Sequence, residues 1–89
     1  MRAVLTVIGK DMVGILAGVS GICADAHVNI TEVSQSIMQD LFAMIMLVDV
    51  SESSIPFAEF SRKLEAFGEE SGLSIRCMHE DIFNSMHRI

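Results

Sequence analysis

The sequence predicts an α+β fold, a ferredoxin-like βαββαβ sandwich with a four-stranded antiparallel sheet, two helices on one face and a short C-terminal helical tail. Three observations carry this expectation. Four apolar or alternating runs have the length of strands, and two segments between them repeat their apolar residues with a helical period. Turn-forming residues separate these segments. The 89 residues hold one domain, expected at 1–79, with 80–89 as a tail docking on the domain or on a partner subunit.

Residues 3–8 are apolar and β-branched and stop at Gly9, as a strand buried on both faces does. A helix is expected to start after the break at 9–14, with Asp11 as its N-cap, and to run to about Ala26. Met12, Ile15, Leu16, Val19, Ile22, Cys23 and Ala26 follow the i, i+3, i+4, i+7 pattern and form its core stripe. Gly14, Gly18 and Gly21 recur on the other side. An interior glycine costs a helix about 0.5–1 kcal/mol relative to alanine. Either something approaches this face closely (a partner chain, a loop or a small ligand), or the helix is merely weak.

Residues 28–39 read as a strand, with a bulge near Glu32 reconciling Val28 and Ile30 with Val33 and Ile37. Gln39-Asp40 turns the chain into 41–50, a run apolar on both sides that belongs in the centre of the sheet. Its Phe42, Met44, Met46 and Val48 share one face and Leu41, Ala43, Ile45 and Leu47 the other. Pro56 suits a first helical turn. Phe57, Phe60, Leu64 and Phe67 then mark the inner face of a second helix that Gly72 ends. Leu73, Ile75 and Cys77 alternate with polar residues as in a half-exposed edge strand, which points Cys77 inward. Ile82, Phe83, Met86 and Ile89 have helical spacing. With two helices on one side, the Met and Phe side chains expected on the other sheet face need a cover, and a second copy of the chain is the economical one.

Composition narrows function further. Hydrophobic residues make up 51% of the chain, high for one so short, which favours an apolar surface reserved for a partner. Twelve acidic against six basic residues give a net charge of −6, a field that repels phosphate backbones, so no nucleic-acid partner is expected. Cys23 and Cys77 have no metal spacing and read as core thiols of a cytoplasmic protein. No signal peptide is legible at the start, and the apolar run 41–48 is too short to span a bilayer, so no membrane association is expected.

The stretch Val7-Ile8-Gly9-Lys10-Asp11-Met12-Val13-Gly14-Ile15-Leu16 resembles the first strand, loop and helix start of an ACT domain. Val28-Asn29-Ile30 resembles that family's entry into the second strand, and with the tail 80–89 the whole chain is similar to stand-alone single-ACT-domain proteins of prokaryotes, in the glycine-cleavage-repressor-like subgroup. The Gly-x-Asp-x-x-Gly loop alone is a weak signal; loop, Asn-Ile entry and tail together are more specific. The resemblance implies a regulatory module that binds an amino acid where the first loop of one subunit meets the second strand of another. By position it places Lys10, Asp11, Met12, Val13, Gly14, Asn29 and Ile30 in the site. Free N–H groups at a helix start suit a carboxylate, and the Asn29 amide both donates and accepts. Asp11 is available to a ligand ammonium only if it does not cap the helix. A homodimer, no cofactor, no catalysis and output through the assembly or a separate effector protein complete the expectation.

Three rival readings are weaker. An acylphosphatase-like enzyme of this architecture needs an arginine in the first loop, where this chain has Lys10 and the opposing charge of Asp11. A copper chaperone needs two cysteines there, and the loop has none. His79, Asp81 and His87, with Glu80, could converge on a metal only if the tail folds back, and their spacing matches no standard site. A ligand-free protein-protein interaction module remains the main alternative to a sensor.

Overall fold

Strand β1 (Arg2–Gly9) lies between β3 (Leu41–Asp49) and β4 (Ser74–His79), antiparallel to both. Strand β2 (Asn29–Met38) adds to the free side of β3, which gives the sheet order β2-β3-β1-β4. Helices α1 (Ile15–Asp25) and α2 (Phe57–Ser71) form one layer, and a short helix α3 (Glu80–Met86) follows β4. This is the ferredoxin-like order that the sequence predicts. The computed structural model describes residues 1–10 and 14–86.

The core lies between sheet and helices. Leu5 and Val7 of β1, Met44, Met46 and Val48 of β3, Val19 and Cys23 of α1 and Phe60 and Leu64 of α2 are all buried in it. Strand pairing fixes which face each residue shares. Leu5 pairs with Met46, and Val7 with Met44, so the methionines of β3 point at the helices. The expectation that Met and Phe side chains stay uncovered is therefore corrected. Phe42, Met44 and Met46 fill the core, and the open face carries Ile8, Leu41 and Ile45 instead. Two faces of one strand with equal hydrophobicity give no sequence signal for which is covered.

The bulge expected near Glu32 is present: the β2 register shifts between Ile30, opposite Val48, and Glu32, opposite Leu47. It turns Val33 and Ile37 to the same side as Ile30, since they pair with the inward-facing Met46 and Phe42. Both nevertheless stay open, at 42% and 59% exposure, because β2 is an edge strand. Pro56 stands immediately before α2, and Gly72, at φ 72, ends it with the Leu73 N–H donating to the Gly68 carbonyl.

Helix α1 departs from expectation in two ways. Its N-cap is Gly14, in the left-handed region at φ 75, and the first helical residue is Ile15. The helix thus starts later than an Asp11 cap requires; Asp11 itself, with Met12 and Val13, lies outside the described residues. Leu16, assigned to the core stripe, is 43% exposed. The inward face is the narrower stripe of Ile15, Val19 and Cys23.

Candidate functional site

The three glycines of α1 have three different surroundings. A Cβ built on Gly18 would lie 2.2 Å from Phe67 Cζ, so the close approach predicted for this face is made by α2 of the same chain. Gly21 faces open space. Gly14 also has room around it, but its left-handed backbone favours glycine, and no described side chain caps the helix start behind it. Lys10 is exposed just past the end of β1. The first loop thus ends in a helix entrance that no described side chain caps, with an exposed lysine nearby.

Asn29 opens β2 beside a different set of groups. The chain leaves α1 through His27, itself left-handed at φ 59, while the His27 and Val28 N–H groups donate back to the Ala24 and Cys23 carbonyls. Asn29 then pairs with Asp49. His27, Asn29, Asp49, Ser51 and Glu52 line a surface depression of about 430 Å³. The Asp49 carboxylate accepts from the Ser51 hydroxyl at 2.6 Å and from the Ser51 N–H at 2.9 Å. Those bonds hold its carboxyl below its ordinary 3.8 and keep it ionised. Asn29 is exposed and Ile30 half-buried against the core. Sequence reasoning missed His27, Asp49, Ser51 and Glu52. They come from two separate turns that only the β2–β3 pairing brings together.

Within one chain, the two halves of the predicted site do not meet. Gly9, next to Lys10, pairs with Phe42, and Asn29 pairs with Asp49. Seven residues of β3 separate those positions, about 23 Å at strand rise. The loop and the start of β2 stand at opposite ends of the sheet.

The tail candidates form no metal centre among the described residues. The Asp81 N–H donates to His79 Nδ1 at 3.1 Å, which occupies the lone pair a metal would need, and Glu80 is held by Arg2 at 2.6 and 2.8 Å. His87 lies outside the described residues. Both cysteines are free, and burial pushes the Cys23 thiol up to about 11 and the Cys77 thiol to about 12, the latter helped by the nearby Cys23 and Glu65. At neutral pH neither is a nucleophile. No described helix is long and apolar enough to cross a membrane. A second groove of about 360 Å³ runs between α1 and α2, floored by Ile22, Ile55 and Phe67 and rimmed by Asp25, Lys63 and Glu70.

Residues 2–78 match the sequence profile of the ACT domain. The chain belongs to the ACT domain family. A UPF0237 protein of Methanocaldococcus jannaschii is 51% identical over 88 residues, 99% of this chain and 98% of the relative. An ACT domain protein from Streptococcus pneumoniae superimposes with a TM-score of 0.80 at 37% identity, over 93% of each chain. A putative glycine cleavage system transcriptional repressor shares the fold at a TM-score of 0.72 and 22% identity, over 89% of this chain and 47% of that one. ACT domains are regulatory ligand-binding modules, and the helix entrance at Gly14 and the Asn29 depression are candidate ligand-contacting surfaces of this one.

Proposed function

We propose that this ACT domain is an amino-acid sensor acting as a homodimer, with the ligand held between Lys10–Gly14 of one copy and Asn29 and Ile30 of the other. One observation carries the reading: the two half-sites lie at opposite ends of a sheet whose β2 edge is open and nearly uncharged. Val33, Ile37 and the neighbouring layer's Leu16 are all more than 40% exposed, and Glu32 is the single charge in ten residues of edge strand. A long, open edge with so little charge associates unless it is protected. A two-fold axis normal to the sheet pairs β2 with its copy antiparallel, and so brings the Gly14 end of one chain toward the Asn29 end of the next.

The chemistry of the halves is complementary to a zwitterion. The helix entrance and Lys10 suit a carboxylate. Asn29, Asp49 and Glu52 suit an ammonium group. The free, protonated thiols fit a reducing cytoplasm, and the output passes through the assembly or to a separate effector protein. Thermal-shift titration with free amino acids tests the reading. A true ligand stabilises the fold by about 2.7 kcal/mol at a hundredfold excess over its Kd. A flat response to every common amino acid would favour a ligand-free interaction module.

A further inference from the structure

The sheet face away from α1 and α2 is divided in two. Val4 of β1 lies on this face, since it pairs with Leu47 and Met78, yet it is 4% exposed and stands apart from the main core. Helix α3 covers it, lying against β1 and β4 with the Arg2–Glu80 pair fastening its start. That half of the face is a ridge, crowned by Ile82 and Met86. The other half has no cover among the described residues. Ile8, Ile45, Leu41 and Met38 form one continuous apolar patch across β1, β3 and β2.

We propose that this face docks a second copy of the chain, with the α3 ridge of each copy seated in the uncovered hollow of the other. The inference is independent of the edge pairing above and adds a second interface to it.

Two features commit the face to a copy of itself. First, a two-fold interface must be self-complementary, and ridge and hollow lie side by side on one surface. Secondly, the area suffices. The six side chains Ile8, Met38, Leu41, Ile45, Ile82 and Met86 are 40–66% exposed. Together they offer roughly 600 Å² of apolar surface, against about 800 Å² per partner in a standard stable interface. The half-buried Ala43, Leu47 and Thr6 around them supply more, and Ser34 and Ser36 keep the hollow free of charge, as interface centres are.

Light scattering on the eluting protein tests this with Ile45→Lys in the hollow, Ile82→Lys on the ridge and Val33→Lys on the β2 edge as the contrast. Ile45 and Ile82 are exposed, so both variants keep the cooperative melt of the folded chain. Each is expected to halve the native mass of the wild type. A mixture of Ile45→Cys and Ile82→Cys proteins, oxidised with diamide, is expected to cross-link between the two variants faster than either does alone. An unchanged mass in both lysine variants overturns the proposal, as does cross-linking confined to like variants. A mass lowered by Val33→Lys alone overturns it too, while leaving the edge dimer standing.

Discussion

Gly18 and Gly21 stand three residues apart on one helix, and alanine at each should move stability in opposite directions. At Gly21 the added methyl meets open space, so Gly21→Ala gains only the helix propensity that glycine lacks, about 1 kcal/mol. A domain of this size then melts about 4–8 °C higher. At Gly18 the same propensity gain is opposed by a clash. The new Cβ falls 2.2 Å from Cζ, 2.6 Å from Cε1 and 3.0 Å from Cε2 of Phe67, so the whole ring tip must withdraw. Overpacking of this kind costs about 1–3 kcal/mol, which leaves Gly18→Ala destabilised by about 1 kcal/mol net. Phe67→Leu shortens the side chain, so in the double variant the alanine penalty should vanish and a coupling energy of at least about 1 kcal/mol should emerge. Urea unfolding of the four proteins measures this directly. If Gly18→Ala stabilises as much as Gly21→Ala, Phe67 does not seat on Gly18 and the account of how α1 meets α2 is wrong.

Three further outcomes are expected. Gly14→Ala meets no described side chain, so its cost is that of a left-handed non-glycine residue, about 1–2 kcal/mol, and a melt should show a cooperative transition shifted downward. The folded chain keeps both thiols protonated to about 11 and 12 against an ordinary 9.0, and so binds more protons than the unfolded chain over that range. Stability contributed by the thiols is full below pH 9 and falls as pH rises toward 12, and Cys23→Ala, Cys77→Ser double variants should lose that alkaline slope. At neutral pH the shift of Cys23 lowers its thiolate fraction about a hundredfold, so iodoacetamide labelling of the native protein should be correspondingly slow.

Most of the fold was legible because the pattern of apolar residues has only two periods to choose from. The strand order, the bulge near Glu32 and the stop at Gly72 all followed from local chemistry that the tertiary structure left in place. What failed was what depends on the neighbour. Leu16 satisfies the helical period but stays open, because the sheet and α2 cover only the stripe of Ile15, Val19 and Cys23 beside it. Gly18 announced a close approach without saying by whom; Phe67 lies 49 residues away in sequence. For the site, the sequence supplied the residues that resemble the family's loop and strand entry. It gave no sign that Asp49 and Glu52 stand beside Asn29, since antiparallel register across β2 and β3 is a property of pairing and not of either strand.

The central claim, that two chains share each ligand site, is tested most directly by complementation between defective copies. Gly14→Leu disables the helix entrance, Asn29→Ala disables the strand half, and each protein alone should bind none of the amino acid that stabilises the wild type. A mixed dimer keeps one intact site, built from the sound loop of one copy and the sound strand of the other. Equal mixing should therefore restore about a quarter of the wild-type binding capacity by calorimetric titration. Recovery to that level supports the shared site; full binding by either variant alone, or no recovery in a mixture shown to exchange subunits, contradicts it.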